Sequence, residues 1–223
     1  MNILNNLNFF YSRCKTQFRY FVWVKLKRNY PANVEALKTI FIHIPKTAGT
    51  SLYELIGYTY IGHVTYRWYK DRNADKFNKY FKFAIVRNPW DRLVSTYFYL
   101  KKGGNNAMDE YWAKKHIYKY TDFDTFVKEW VTEKNVDSWM HFMPQHKYIY
   151  NEQDELQVDY VARFENLSDD FKVIAKRLNS NKELPRVNVS KRTHYKDYYT
   201  EETKAIVAQV YSKDIELFDY TFE

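Results

Sequence analysis

The chain has 223 residues, of which 45% are hydrophobic and 28% charged, and its net charge is +8. That composition excludes a disordered or collagen-like chain, and the single cysteine, Cys14, excludes an internal disulfide. No apolar run approaches the ~20 residues of a membrane-spanning helix, so the expectation is one globular domain whose excess positive charge favours anionic ligands.

In chain order, residues 1–38 come first. They set Arg13, Lys15, Arg19, Lys25, Lys27 and Arg28 among Phe9, Phe10, Phe18, Phe21 and Trp23. The pattern predicts a basic, aromatic segment packed on the domain with its charges in water; an anionic membrane face is the other surface it fits. Pro31 is expected to part it from the domain proper, residues 39–223.

Thr39-Ile-Phe-Ile-His-Ile44 is an apolar, β-branched run that enters a short loop around Lys46 and Gly49. Thr50 and Ser51 open a stretch with helical spacing at Leu52, Leu55 and Ile56. A strand, a tight loop and a helix N-terminus form an anion cradle, because free N–H groups and the positive end of the helix dipole converge there. Pro45, Lys46, Thr47, Ala48, Gly49, Thr50 and Ser51 are therefore candidate phosphate or sulfate contacts. The loop is not a Walker A motif, since Lys46 precedes the only glycine.

A short extended piece is expected around His63–Trp68, then a second buried strand over 81–86. That strand runs into Arg87-Asn-Pro-Trp-Asp-Arg-Leu-Val-Ser95. Pro89 suits a first helical turn over about 89–101, and Asn88 is placed to cap it. Arg87 then stands at a strand end with Ser95 two turns into the helix, and a guanidinium fork with a hydroxyl is a phosphate grip. Gly103–Asn106 reads as a loop tip and 107–143 as helices. Lys147–Tyr150 and Tyr160–Phe164 read as short strands, and Asn166–Leu178 as an amphipathic helix. Thr200 caps a last helix. Strands alternating with helices predict an α/β fold with a parallel sheet and ligands at the strands' C-terminal ends.

These segments resemble the motifs of carbohydrate sulfotransferases. Pro45–Ser51 is similar to their 5′-phosphosulfate loop, and Arg87–Ser95 to their 3′-phosphate motif. Gly62-His63-Val64, His141-Phe-Met-Pro-Gln145, Val161–Leu167 and the stretch from Asn188 to Phe222, with Ser190-Lys191-Arg192, also match in order. The likeness extends to membrane-associated and bacterial polysaccharide sulfotransferases, the uronosyl 2-O type included. The resemblance implies a P-loop-like three-layer α/β/α fold with a central parallel sheet of about four or five strands and a helix-rich C-terminal half. It implies 3′-phosphoadenosine 5′-phosphosulfate as the donor, no metal, and a carbohydrate hydroxyl as the acceptor. Lys46 would then be catalytic, with Arg87, Ser95, Arg163, Lys191 and Arg192 on the donor's anions and His141 and Gln145 on the acceptor.

A histidine is the general base suited to neutral pH. His63 follows Gly62 and matches the family's Gly-His element, so it is the expected base; His141 is its rival, and His43, inside a buried run, reads as structural. Some relatives carry a second histidine where Ile61 stands, so a paired-histidine mechanism does not transfer. Animal relatives carry a Golgi anchor; none is legible here, so a bacterial cytoplasmic enzyme is expected, with the basic N-terminal segment on offer to a membrane surface. Two other readings compete. An ATP-using kinase would need a Walker A loop and an acidic magnesium ligand, yet strand 81–86 ends in Arg87. A basic nucleic-acid-binding protein would need a continuous basic stripe, whereas these anion sites are discrete.

Overall fold

The computed structural model describes residues 29–58, 60–182 and 193–223, without the side chains of 51 and 54. Most of the basic N-terminal segment, and Lys191 and Arg192, lie outside the described residues.

Helix α1 (Ala32–Leu37) leads into β1 (Thr39–Ile42), followed by α2 (Gly49–Ile56), α3 (Tyr66–Arg72), α4 (Ala74–Lys79) and β2 (Phe81–Val86). A helical stretch follows: α5 (Pro89–Lys101), α6 (Ala107–His116), α7 (Phe123–Trp130), α8 (Glu133–Val136) and α9 (His146–Ile149). Then come β3 (Tyr160–Arg163), α10 (Leu167–Arg177), α11 (Glu201–Val210) and α12 (Ser212–Phe218). Among the described residues the sheet has three strands, all parallel, in the order β1-β2-β3. The register pairs Ile42 with Ala84 and Val86 with Arg163.

Continuous burial along β1 and most of β2 is the pattern of parallel strands covered on both faces. Phe41 stacks on Phe83 at 4.8 Å across the two strands, in a core that also takes Ile40, Ile42, Ile85 and Leu52. A second core fills the helical half, where Phe126, Trp130, Phe142 and Trp112 pack as an aromatic cluster. At the N-terminal edge Tyr30 donates to the Tyr69 carbonyl at 2.7 Å, tying the chain before α1 to α3.

The α/β class and the parallel sheet follow the sequence reading; the strand number and three segments differ. The resemblance implied four or five strands. Lys147–Tyr150 was expected as one of them, but 147–149 are helical, because the Asp214 carboxylate accepts from the backbone N–H groups of Gln145 (2.7 Å) and His146 (2.8 Å) and so caps α9; Tyr150 is extended and bridges to Leu156. The piece from His63 was expected to stay extended to Trp68, but α3 begins at Tyr66 because Tyr66, Trp68 and Tyr69 bury on one side of a helix. That packing overrides their β-propensity. The last helix is two, α11 and α12, meeting at Tyr211. Helix α5 spans Pro89–Lys101, with Asn88 Oδ1 accepting from the Trp90 N–H at 3.1 Å, and Thr200 caps α11 in a capping box.

Candidate active site

β1 and β2 both deliver their C-terminal ends to one side of the sheet. After β1 the chain turns through residues 43–48, where Lys46 (φ 70°) and Ala48 (φ 65°) are left-handed. Each such residue costs of order 1 kcal/mol, and strain of this kind concentrates where backbone amides are aimed at a ligand. Thr47 is buried and its hydroxyl donates to the Ile44 carbonyl at 2.9 Å, closing the loop. Gly49 then opens α2. A Cβ there would come within 2.0 Å of His43 Nε2, so only glycine lets the loop lie against that ring.

Arg87 leaves β2 at the same level. Its Nη1 donates to the Lys46 carbonyl at 2.9 Å, its Nε to Asp91 Oδ2 at 2.8 Å, and its guanidinium lies 4.0 Å from the Phe164 ring centre. The two motifs read separately in the sequence are thus joined by a direct bond. Ser95 lies farther along α5 on the same cleft. The Lys46 ammonium sits 3.9 Å above the Tyr99 ring.

These residues line one cleft of about 1680 Å³. That exceeds the ~300–1,000 Å³ of an ordinary small-molecule pocket and leaves room for two substrates. Ala48, Gly49, Thr50, Arg87 and Ser95 line it, and so do His43, His63 and His141. The His63 and His141 rings meet edge to face at 5.4 Å, and His63 lies 4.4 Å from the His43 ring. His63 Nδ1–H donates to the His43 carbonyl at 3.1 Å, which leaves Nε2 as the basic nitrogen. His141 Nε2–H donates to Asp109 at 3.1 Å. His43, read as merely structural, therefore both orients His63 and seats Gly49. Although three histidines gather here, no three metal-ligating side chains converge as a metal site among the described residues.

Burial, reinforced by the nearby His141 and Lys46, pushes His63 down to about 4, against the opposing pull of its bond to His43 and of the Asp109 charge. Burial likewise drives His43 to about 2. Both are neutral at pH 7. An unfolded chain protonates them near 6.5 while the folded one does not, so the unfolded state binds more protons between 6.5 and 4 and stability falls as pH falls through that window. Each histidine should withdraw about 3 kcal/mol by pH 4. Urea unfolding at pH 7 and pH 4.5 checks this; equal or greater stability at the lower pH would contradict it.

Of the expected site residues, Pro45 and Thr47 do not line the cleft, and Arg163 and Gln145 are engaged elsewhere. Arg163 Nη2 donates to the Phe218 carbonyl and its guanidinium lies 4.9 Å from the Tyr220 ring centre, so it fastens the segment after α12 and does not line the cleft. Gln145 is wholly buried, and its carboxamide bonds both the N–H (2.9 Å) and the carbonyl (2.8 Å) of Arg87. It holds the arginine at the strand end instead of reaching an acceptor. The sequence reading also passed over Arg92, which is 2% exposed and donates to the carbonyls of Pro45, His141 and Met143. A lone arginine on the inner face of a motif helix was the available signal.

The family model described as "Sulfotransferase family" matches residues 34–221. The chain is also 27% identical over 123 residues to an uncharacterized protein of Archaeoglobus fulgidus, covering 54% of this chain and 86% of that protein.

Proposed function

The chain belongs to the sulfotransferase family, and from that premise we propose that it moves a sulfuryl group from 3′-phosphoadenosine 5′-phosphosulfate to a carbohydrate hydroxyl. The observation that carries the reading is the bond from Arg87 to the Lys46 carbonyl. It brings a strained loop and an arginine–serine pair into the cleft that the histidines also line. The donor's two separate anions suit the two motifs: the 45–51 loop for the 5′-phosphosulfate, Arg87 and Ser95 for the 3′-phosphate. The loop fits such a group, since Lys46, Ala48, Gly49 and Thr50 all line the cleft.

Sulfuryl transfer, like phosphoryl transfer, proceeds in line through a loose transition state with charge growing on the leaving oxygen. Lys46 and the loop amides stabilise that charge. His63 Nε2 takes the proton of the attacking hydroxyl. A base held neutral far below pH 7 is always in the accepting form, though individually weak, which suits a step whose proton moves late. His141 stands beside it as an acceptor contact. The exposed Tyr60 and Met140 at the rim offer flat and apolar surface to a sugar face.

The test is calorimetric. The full chain should bind 3′-phosphoadenosine 5′-phosphate without Mg²⁺ and much more tightly than ATP. Arg87→Ala should weaken it at least ~10-fold, since a charge-assisted contact is worth roughly 1.5–3 kcal/mol, and Ser95→Ala by less. Mg²⁺-dependent ATP binding in preference would sink the proposal.

A further inference from the structure

Asp109 belongs to none of the sequence motifs, yet it bonds both His141 and Tyr99 in the cleft. It is 3% exposed and accepts three hydrogen bonds: from His141 Nε2 at 3.1 Å, from the Tyr99 hydroxyl at 2.6 Å and from Asn106 Nδ2 at 2.8 Å. A Cβ on Gly104 (φ 68°) would come within 2.4 Å of the Asp109 Cβ, so the loop tip closes over the carboxylate from behind. Burial opposes its charge, but the bonds from His141, Tyr99 and Asn106 hold it below the usual carboxylate range. Two of its three donors lead to reacting groups. The His141 ring packs edge-on against His63, and the Tyr99 ring carries the Lys46 ammonium. With Nε2–H committed to Asp109, His141 keeps its lone pair on Nδ1, which is buried and has no hydrogen-bond partner.

We propose that Asp109 is a positioning residue for the transfer: one buried carboxylate fixes His141 against His63, holds the Tyr99 ring beneath Lys46, and supplies the counter-charge for the imidazolium that forms on His63. The inference rests on the roles given to His63 and Lys46 above. In the step it serves, the acceptor oxygen bonds to sulfur as its proton passes to His63 Nε2. The bond from sulfur to the bridging oxygen breaks, and that electron pair leaves on the phosphate. Asp109 exchanges nothing; its charge stabilises the protonated base. The groups facing His63 are His43, Tyr60, His141, Lys46 and, at longer range, Asp109, and among these Asp109 alone is negative at neutral pH.

The experiment uses the full chain labelled with ¹⁵N-histidine, as wild type, Asp109→Asn and Tyr99→Phe. Imidazole ¹⁵N shifts report tautomer and titration; single-turnover sulfate release from 3′-phosphoadenosine 5′-phosphosulfate, with water as the acceptor, reports the chemistry. Wild type should show His141 protonated on Nε2. In Asp109→Asn the tautomers should mix, the His63 midpoint should fall by at least ~0.5 pH unit, and sulfate release should slow at least tenfold. Tyr99→Phe should keep the His141 tautomer and slow release less. A folded Asp109→Asn with unchanged His63 midpoint and unchanged release rate would overturn the proposal. So would a wild-type His141 protonated on Nδ1, a result that stands even if Asp109→Asn does not fold. Wild type that fails to bind 3′-phosphoadenosine 5′-phosphate would instead overturn the donor reading and leave the tautomer result to be judged by itself.

Discussion

Lys46→Ala is expected to lower the rate of sulfuryl transfer at least 100-fold while weakening 3′-phosphoadenosine 5′-phosphate by less than tenfold. The ammonium rests over the Tyr99 ring inside the cleft, on a loop that lines the same space. A preorganised donor aimed at developing charge contributes about 3 kcal/mol to the transition state and much less to the ground state. Alanine keeps a Cβ, so the left-handed backbone at this position is no less strained in the variant. The comparison therefore isolates the side chain from the loop, which glycine would not. Lys46→Arg should not rescue, because a planar fork replaces a compact charge above the ring. Single-turnover sulfate release with water as acceptor measures the effect. A rate within threefold of wild type would remove Lys46 from the chemistry.

The second large effect concerns folding. Arg92→Leu is expected to cost about 3–5 kcal/mol, because it takes the donor from three carbonyls in a site closed to water. Arg92 Nη2 donates to Met143 at 2.6 Å and to His141 at 3.3 Å, and Nε to Pro45 at 3.4 Å. Of these carbonyls, that of His141 keeps a bond from the Thr96 hydroxyl at 3.2 Å. The guanidinium thereby joins the anion loop, helix α5 and the turn before α9. In a chain of this size the loss should lower Tm by about 10 °C. An exposed pair such as Lys147 with Asp137 should cost less than about 1 kcal/mol when broken. Thermal melting of both variants decides it; equal, small shifts would mean the buried arginine holds nothing together. Nucleotide binding should fall along with stability in Arg92→Leu, since Pro45 begins the loop.

Local chemistry made the backbone of the candidate anion loop and of the helix after Arg87 legible. Pro89, Asn88 and Gly49 each have one conformational use, and they set the start of α5 and the turn into α2. The apolar runs at 39–42 and 81–86 fixed two strands because parallel strands bury both faces. The histidine wall was legible only in part. His63 carried the Gly-His signal, but Asp109, some thirty residues from His141, had none, since its partners come together only when α6 packs on α5. Lys147–Tyr150 misled for the same reason: the Asp214 carboxylate that makes 147–149 helical arrives from α12. Gln145 and Arg163 carried polar atoms that looked free in one dimension and are engaged in three.

The contact between Gly49 and the His43 ring ties two sequence positions to a shared fate. Any side chain at position 49 collides with an imidazole that Phe41 and Tyr53 wedge in place. A diverging lineage that replaced His43 with a small residue would free position 49 to become alanine or serine, whereas the reverse order of substitutions passes through an overpacked intermediate costing roughly 1–3 kcal/mol. Among descendants of this chain, then, the glycine should be lost only after the histidine, and mutational libraries that vary the two together will reach loops that single substitutions never do.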